Sequence, residues 1–470
     1  MYDVIIIGGG VIGCAAAYYL TKYDLKVALF EKENDIATGT TKANSAIIHS
    51  GYDPDPGSLT ARLNVRGNAL AKDICARLDV PFKQTGSVVC AFGSEDDETV
   101  KKLYERGTQN GVPGLKILNS DEVKELEPNL ADTVTSALYA PTAGVISPWE
   151  YALAFAEVAV ENGLELHLSE GITDIKDTNT VVTKKGEYRA KYIVAAAGVS
   201  CNDIESMVAE PDYVLKPSKG EYYLLDKSAF GIVNTVVFQC PNKDGKGVLI
   251  SPTVHGNIIV GPNAEGCGDK TDVSTTADGL AFVRNAAAKS VPALNLSSNI
   301  RNFAGMRANT NDEDFIIRFV KKGFLSLAGI KSPGLASAPA IGEYVCELLE
   351  KDGLAFNKKE NIVDTRKRIR FKELSPEEKN AVIKENPAYG RVVCRCETIT
   401  EGEIIATFSH PIPPVSIDGV KRRCNAGMGR CQGGFCAPRV LELIHKYTGI
   451  PKEEIVKDKA GSTVLSGGAL

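Results

Sequence analysis

The N-terminal turn of the chain constrains its fold more than any other feature. Residues 4–7 are a run of β-branched side chains, and Gly8, Gly10 and Gly13 follow in the spacing G-x-G-x-x-G before an alanine-rich apolar segment. This order predicts a buried parallel strand, a tight turn and a helix. The first glycine permits the turn, the second lets the backbone approach a pyrophosphate, and the third lets the helix pack on the strand. The helix N-terminus then presents N–H groups and a partial positive charge to the phosphates.

A second predicted strand, residues 26–30, ends at an acidic residue. Glu31 lies eighteen positions after Gly13, where an acceptor for a ribose hydroxyl is expected. An ordinary βαβ unit with a glycine-rich turn is the alternative interpretation. Strand, fingerprint, helix, strand and terminal acid in this order favour a dinucleotide site.

The composition is that of an ordinary globular protein, because 43% of the 470 residues are apolar and 24% are charged. This length exceeds one compact core, so we expect two or three domains. The net charge of −5 gives no reason to expect nucleic-acid binding. No apolar run approaches the length of about 18 residues that predicts a membrane span, and no signal peptide is recognisable. We therefore expect a cytoplasmic protein.

Polar side chains that suit a bound cofactor follow the second strand. Residues 38–45 are rich in hydroxyl and amide groups, which can hydrogen-bond phosphates or a ring edge. His49 comes next, in an apolar run that ends at a glycine turn. A histidine in such a run can be a purely structural residue. Its place just after the phosphate-binding region instead favours a role in the site.

The N-terminal pattern resembles the FAD-dependent oxidoreductases of the D-amino-acid oxidase and glycerol-3-phosphate dehydrogenase superfamily. Residues 43–61, ANSAIIHSGYDPDPGSLTA, are similar to the soluble bacterial glycerol-3-phosphate oxidases and dehydrogenases, and also to L-2-hydroxyglutarate oxidases. The resemblance implies FAD as cofactor and His49 as the base that acts on the substrate hydroxyl. It also implies FAD contacts by the following residues: Gly8, Gly10, Val11, Ile12, Gly13, Glu31, Lys32, Thr40, Thr41, Asn44, Ser45, Ile48, Ile172, Ala197, Gly198, Gly329, Gly334 and Leu335.

Buried parallel-strand sequence returns at 192–200, after a long interruption by helices and short strands. We therefore predict an α/β fold with a discontinuous, Rossmann-like FAD-binding domain and an inserted substrate domain built on a mixed antiparallel sheet. A small helical domain is expected at the C-terminus. The predicted boundaries are 1–80, 145–212 and 322–360 for the FAD-binding domain, 81–144 and 213–321 for the substrate domain, 361–388 for a linker and 389–470 for the C-terminal domain.

Three further residues are implied by the resemblance to contact a small anionic substrate. Lys246 and Arg307 match basic residues of the family, and Ser332 matches a serine near the substrate. A lysine supplies a point charge and an arginine a planar fork, and both suit phosphate or carboxylate. Residues 332–334 are expected to cap a helix at about 335–349, whose N-terminus points at the flavin pyrimidine ring in the family. Without the resemblance, the two cations would be interpreted as surface charges.

Five of the twelve cysteines fall between Cys394 and Cys436. Two close pairs, Cys394 with Cys396 and Cys431 with Cys436, suit a tetrahedral zinc ion or an iron–sulfur cluster. The module resembles the [2Fe-2S] domain of the bacterioferritin-associated-ferredoxin type, which implies these four cysteines as ligands and Cys424 as a spare. Zinc and reduced structural cysteines are the alternatives. The basic run 421–423 is expected to be solvated or near the cluster.

The resemblance implies oxidation of sn-glycerol 3-phosphate to dihydroxyacetone phosphate by hydride transfer to flavin N5. The cluster domain favours a dehydrogenase that passes single electrons to a partner protein over an oxidase that uses oxygen. A dehydrogenase of L-2-hydroxyglutarate or another 2-hydroxyacid is the second enzyme hypothesis, with a carboxylate held by the same cations. The non-enzymatic hypothesis is a flavin and iron–sulfur electron-transfer subunit. The sequence leaves the oligomeric state open.

Overall fold

The structure, a computed structural model, describes residues 1–241 and 247–465. Its strands, numbered along the chain, are β1 Tyr2–Ile7, β2 Val27–Phe30, β3 Ile47–Ile48, β4 Phe82–Lys83, β5 Ser87–Ala91, β6 Lys116–Asn119, β7 Ser136–Ala140, β8 Gly144–Ile146, β9 Glu165–His167, β10 Ile172–Lys176, β11 Thr180–Thr183, β12 Glu187–Ala195, β13 Ser218–Leu225, β14 Val236–Gln239, β15 Leu249–Pro252, β16 Ile258–Gly261, β17 Glu265–Gly266, β18 Asn299–Arg307, β19 Ile316–Lys321, β20 Phe324–Ala328, β21 Val392–Cys394 and β22 Ile399–Thr400. The helices are α1 Val11–Leu20, α2 Leu59–Arg77, α3 Ser94–Gln109, α4 Ser120–Leu126, α5 Pro148–Glu161, α6 Cys201–Ser206, α7 Ala277–Ser290, α8 Gly334–Lys351, α9 Pro376–Glu385, α10 Glu401–Ala406, α11 Ile417–Cys424 and α12 Ala437–Thr448.

The first sheet has a parallel centre in the order β9-β2-β1-β12-β20. The antiparallel strand β19 extends it beyond β20, and the β10–β11 hairpin pairs with the start of β12. Helices α1, α2, α5 and α8 cover one face, where Ile6, Leu29 and Tyr18 are fully buried. This arrangement confirms the predicted α/β fold with a discontinuous Rossmann-like domain, because β1, β12 and β20 come from widely separated parts of the chain.

Strand β1 and helix α1 approach each other through glycines. A side chain at Gly13 would place its first carbon 2.0 Å from the carbonyl oxygen of Gly8, and one at Gly8 would come within 2.5 Å of the Ala196 carbonyl oxygen. Neither contact leaves room for a methyl group. The third glycine of the fingerprint therefore lets the helix pack on the strand, as its spacing predicts.

The second sheet follows the order β6-β7-β5-β14-β15-β16-β13, with β17 and β18 both paired to β13. All of these pairs are antiparallel except β5 with β14, so the predicted mixed antiparallel sheet is confirmed. Helix α7 packs on it through Val283 and Ala287. One boundary needs correction, because β19 lies within the predicted substrate segment 213–321 but pairs with β20 in the first sheet.

The C-terminal unit, residues 389–465, consists of α10, α11 and α12 with the short hairpin β21–β22. Ile404, Val420 and Ile444 are fully buried at its centre. This confirms the expected small helical domain. Among the helices of the two described ranges, none combines the length and apolar character that crossing a bilayer requires.

The C-terminal unit is attached to the first domain by a buried carboxylate. Asp35 accepts from Arg422 at 2.7 Å and from Arg423 at 2.8 Å, and all three residues are at most 3% exposed. Burial alone would raise the pKa of Asp35, but the two guanidinium groups outweigh it and lower that pKa to about 2. Asp458 extends the contact, because it pairs with Arg422 and with Lys42. The run at 421–423 was expected to be solvated or near the cluster. The expectation of solvation is wrong, since all three side chains are buried, Arg422 and Arg423 against the first domain. A place near the cluster stays a prediction.

The segment predicted as a linker, 361–388, is also folded against the protein. It contains α9, and two of its arginines bind the buried Glu157, Arg366 at 3.1 Å and Arg368 at 2.8 Å. Arg370 contacts Asp79 at 2.7 Å. These ion pairs hold the segment against the first domain, so it does not act as a free connection.

We expect the substitution Asp35→Asn to loosen the C-terminal unit, because it leaves two buried guanidinium groups without their anion. The expected loss is about 3 to 5 kcal/mol of the free energy that holds the unit in place. Limited proteolysis at increasing urea concentration would measure it, as earlier release of a C-terminal fragment. The exposed pair Asp73–Arg77 offers the control Asp73→Asn, for which we expect less than about 1 kcal/mol. An unchanged release profile for Asp35→Asn would contradict the attachment.

Candidate functional site

A cavity of about 1860 Å³ lies where the two sheets and the C-terminal unit meet. The first domain contributes the glycine turn after β1 and the start of α8, and the second sheet contributes parts of β13, β14 and β18. Such a position, at the carboxyl ends of parallel strands, is where open α/β sheets bind ligands. Fourteen of the predicted cofactor residues line it: Gly8, Gly10, Val11, Ile12, Glu31, Lys32, Thr40, Thr41, Asn44, Ser45, Ala197, Gly198, Gly334 and Leu335.

Four predicted cofactor residues are not brought to the cavity wall. Gly13 packs against Gly8, and Ile48 is fully buried in the core. Ile172 lies at the start of β10, and Gly329 follows β20 with a φ of +62° beside Thr310. For Gly13 and Ile48, the structure shows a packing role in place of a direct contact with the cavity.

The phosphate end of the site is formed by the N-terminus of α1. Gly10 precedes the helix without a side-chain cap, and the Val11 N–H donates to Thr41 Oγ1 at 3.0 Å. No acidic side chain lies in the first turn of the helix itself, so its N-terminus presents a partial positive charge to the cavity, close to the Glu31 carboxylate. This arrangement fits the pyrophosphate of a dinucleotide.

Glu31 closes the same end of the site at the end of β2. Its carboxylate accepts from the Gly9 N–H at 2.7 Å and from the Glu33 N–H at 2.9 Å. Burial raises the pKa of Glu31, and these two backbone donors oppose that effect. Each oxygen keeps a second lone pair, so the carboxylate can still accept from a ribose hydroxyl.

His49 and Ser332 meet in the cavity although 283 residues separate them. The Ser332 hydroxyl lies 3.3 Å from His49 Nε2. The backbone carbonyl of His49 accepts from Asn64 and Asn68 of α2 at 2.8 and 3.2 Å, which fixes the histidine in place. Its ring lies 5.8 Å from that of Phe238 on β14. A histidine held this way can accept a proton from a hydroxyl group in the cavity.

Arg307 lies at the end of β18 and lines the same cavity. Its Nη2 donates to the Asn263 carbonyl at 3.1 Å, and its Nη1 lies 3.4 Å from the Ser218 hydroxyl. These contacts position the guanidinium and leave further N–H donors for an anion. The other predicted cation, Lys246, falls outside the described residues.

The N-terminus of α8 also opens into the cavity. The helix begins at Gly334 and has no side-chain cap. Residues 332–334 were expected to supply one, but the Ser332 hydroxyl points to His49 and the preceding position is Pro333. The partial positive charge at the N-terminus of α8 is therefore directed at this wall of the site, where it favours a negatively charged group of a ligand.

The four predicted ligand cysteines form two pairs, each with one member from each sequence motif. Cys396 Sγ lies 3.6 Å from Cys431 Sγ, and the Cys436 thiol hydrogen-bonds to Cys394. That hydrogen bond lowers the pKa of Cys394 to about 6, and the Gly427 N–H also donates to its sulfur. Two thiol pairs match a [2Fe-2S] cluster, in which each iron binds two protein ligands.

Within residues 1–241 and 247–465, no group of three or more histidine, cysteine or acidic side chains is placed to hold one ion. Cys424 lies on α11 and donates to the Val420 carbonyl of its own helix at 3.4 Å, while burial raises its pKa to about 12. A neutral thiol used in this way agrees with its predicted place outside the ligand set.

Sequence reasoning missed the cavity wall that comes from the C-terminal unit. Seven residues share this wall: Asp418, Lys421, Arg422, Met428, Gln432, Asp458 and Lys459. No local pattern marks them as part of a cofactor cavity, because their partners lie hundreds of residues earlier. The basic run at 421–423 could have drawn attention to this wall, because Lys421 and Arg422 belong to it.

Comparison with known proteins agrees with this geometry. Residues 3–348 match the family model described as FAD dependent oxidoreductase, and residues 392–446 match the BFD-like [2Fe-2S] binding domain. The chain is 50% identical over 473 aligned residues to a glycerol 3-phosphate dehydrogenase of Caloramator mitchellensis, covering 99% of this chain and 98% of that protein. An L-2-hydroxyglutarate dehydrogenase of Escherichia coli is 32% identical over 273 residues, which is 56% of this chain and 64% of that protein.

A solved structure gives the same fold for the first two domains. The dithionite-reduced L-alpha-glycerophosphate oxidase of Mycoplasma pneumoniae, with FAD bound, superposes with a TM-score of 0.73 at 32% identity. The match covers 98% of that chain and 77% of this one, so the oxidase lacks a counterpart for a large part of this sequence. Both predicted cofactors, FAD and a [2Fe-2S] cluster, are confirmed by the two family matches. The chain therefore belongs to the FAD-dependent oxidoreductase family, with a BFD-like [2Fe-2S]-binding domain at its C-terminus.

Proposed function

We propose that the protein is a dehydrogenase that oxidises sn-glycerol 3-phosphate to dihydroxyacetone phosphate and passes the electrons through its [2Fe-2S] cluster to a partner protein. One observation carries the proposal. His49, Ser332 and Arg307 line the cavity that also contains the dinucleotide-binding turn. A proton acceptor and an anion-binding fork thus share one chamber with the predicted cofactor contacts.

The relatives favour this substrate and this kind of acceptor. The relative that covers nearly the whole chain is named a glycerol 3-phosphate dehydrogenase. The oxidase structure is matched almost completely by the first two domains alone. A cluster domain beyond an oxidase-like body is useful to an enzyme that exports single electrons, so we favour a dehydrogenase over an oxidase.

The residues present fit FAD. The uncapped start of α1 and Thr41 would hold the pyrophosphate, and Glu31 would hold a ribose. When bound, FAD supplies the two-electron acceptor, at flavin N5. The start of α8 would favour negative charge on the pyrimidine side of the ring.

In this proposal His49 Nε2 takes the proton of the substrate C2 hydroxyl. The two asparagine contacts hold the backbone of His49, and its ring lies between Ser332 and Phe238, so little ordering is needed when the substrate binds. Ser332, 3.3 Å away, orients the ring and can hydrogen-bond the same hydroxyl. Removing that proton is the part of the oxidation that the protein itself performs.

Arg307 is proposed to bind the phosphate of the substrate. Its guanidinium offers paired N–H donors that match a phosphate, and Ser218 with the Asn263 carbonyl holds it in place. Lys246 is proposed as a second cation on the resemblance alone, because it lies outside the described residues. Binding by the anionic end fixes the reacting carbon relative to His49.

The 2-hydroxyacid hypothesis is kept because a relative 32% identical over part of the chain is named an L-2-hydroxyglutarate dehydrogenase. Its carboxylate would bind the same arginine. Comparing kcat/KM for glycerol 3-phosphate and L-2-hydroxyglutarate with an artificial acceptor separates the two. The electron-transfer-subunit hypothesis would gain support if neither compound bleached the flavin under anaerobic conditions.

The substitution His49→Gln removes the proposed base, and we expect flavin reduction by glycerol 3-phosphate to slow roughly 10²- to 10⁴-fold. Anaerobic stopped-flow absorbance of the flavin measures this rate, and the same absorbance shows that FAD is retained. The exposed His445 on α12 offers the control His445→Gln, for which we expect no change. An undiminished rate in His49→Gln would exclude this residue as the base.

The substitution Arg307→Lys keeps the charge but removes the fork. We expect kcat/KM for glycerol 3-phosphate to fall roughly tenfold to a hundredfold, mainly through KM, because charge-assisted hydrogen bonds to the phosphate are lost. Steady-state kinetics measures this effect. Arg284→Lys, on the exposed side of α7, is the matched control. Equal kinetics in Arg307→Lys and the wild-type protein would place the phosphate elsewhere.

The substitution Cys396→Ser is expected to abolish or alter the electron paramagnetic resonance signal of the reduced cluster, because it removes one of four thiolate ligands. Flavin bleaching by the substrate should persist, since the cavity is untouched. Cys424→Ser is the matched control and should keep the signal and about two iron atoms per chain. Loss of the cluster in the Cys424 variant alone would exchange the roles of the two cysteines.

A further inference from the structure

We propose that the edge of the C-terminal unit around Phe435 is the docking site for an acidic electron-transfer protein. This inference rests on the proposed export of electrons through the cluster, and it adds where the acceptor binds and what charge it carries. We call this edge the Phe435 edge. It consists of Phe435, Cys396, Arg395, Arg430 and Arg439.

Phe435 is the most exposed of the large hydrophobic side chains in the described ranges. Its side chain is 87% exposed, and it stands in the short loop between the predicted ligands Cys431 and Cys436. Exposure of a whole aromatic ring is unfavourable in water unless a partner covers it. Aromatic anchors of this kind are typical of protein–protein contacts.

The four predicted cluster ligands differ in their access to solvent. Cys394 and Cys436 are 1% and 3% exposed, whereas Cys396 is exposed and Cys431 half-buried. The pair Cys396 and Cys431, whose sulfurs are 3.6 Å apart, is therefore the outer pair. A protein that covers Phe435 would also cover this outer pair, which is the shortest approach to the cluster from solvent.

The opposite wall of the same loop faces the cavity. Met428 and Gln432, on either side of Cys431, line the chamber that contains the dinucleotide-binding turn. Arg301 of β18 holds Gln432 at 3.2 Å. Phe435, in contrast, does not line the cavity and is exposed to solvent. This placement suits the transfer of electrons from the cavity, through the cluster, to a protein bound at the Phe435 edge.

Cations rim the Phe435 edge and face outward. The side chains of Arg430 and Arg439 are 71% and 48% exposed, whereas the carboxylates that they pair with, Asp226 and Glu401, are only 16% and 9% exposed. Arg395, between two ligand cysteines, is exposed as well. Glu442 adds one exposed carboxylate and Lys446 one further cation.

The charge of this edge indicates the class of protein that binds there. The cations named above outnumber the carboxylates near them by four to three, whereas the whole chain carries a net charge of −5, so the side chains of this edge are more positive than the protein average. A second copy of this chain would bring the same cations against this edge in a symmetric contact, which is repulsive. An acidic redox protein would be attracted and would orient its own redox centre here, in the small and transient interfaces typical of electron transfer.

The experiment uses the holoprotein with glycerol 3-phosphate and two one-electron acceptors of opposite charge, acidic plant plastocyanin and basic mitochondrial cytochrome c. At low ionic strength we expect plastocyanin to be reduced roughly tenfold faster than cytochrome c, with a rate that falls as salt is added. Phe435→Ala and Arg395→Glu should each lower the plastocyanin rate roughly fivefold or more. Reduction of phenazine methosulfate, a small acceptor, should stay unchanged.

Controls and a second readout separate this inference from the function on which it rests. Ile117→Ala and Arg189→Glu change exposed residues of other surfaces and should have no effect. Binding of redox-inactive cadmium plastocyanin, followed by NMR line broadening, needs no turnover and should weaken in both edge variants. The cluster's resonance signal shows that each variant keeps its cluster. Equal binding and equal plastocyanin rates in wild-type protein and both variants would overturn the docking site. Absence of flavin bleaching by glycerol 3-phosphate, with binding intact, would overturn only the proposed function.

Discussion

The Asp35 carboxylate lies between the guanidinium groups of Arg422 and Arg423, and this buried contact anchors the C-terminal unit to the first domain. Burying a carboxylate or a guanidinium group costs desolvation free energy. Each of these three charges is therefore stable in the interior only because the opposite charge lies beside it. The same contact holds the loop between Glu31 and Lys42 in place. The C-terminal unit and the loop between Glu31 and Lys42 are therefore held together by the same ion pairs.

The cavity also depends on residues that hydrogen bonds from other segments hold in place. His49 is fixed through its backbone by two asparagines of α2, and Arg307 is fixed through Ser218 and the Asn263 carbonyl. Both groups stand at strand ends, where the sheets supply a rigid base and the open side faces the ligand. The two groups come from different domains, and each is held by contacts within its own domain, so the chamber exists only in the assembled protein.

Local patterns predicted the elements that depend on near neighbours. The fingerprint around Gly8 and Gly13, the strand that ends at Glu31 and the helix that begins near Leu335 were all recognisable from short stretches. The pairing of Cys396 with Cys431 and the burial of Arg422 and Arg423 were not, because both depend on contacts between distant segments. Basic runs are usually solvated, and a sequence does not show that a carboxylate hundreds of residues away will neutralise one.

The bond between Arg422 and Asp35 joins residues 387 positions apart, which has a consequence for how the protein is made. At a ribosomal rate of about 5 to 20 residues per second, Asp35 waits roughly 20 to 80 s before its partner has been synthesised. During that interval the nascent N-terminal domain has its glycine turn, but the loop that follows is not yet covered. The cofactor chamber can therefore close only after the last helices have left the ribosome.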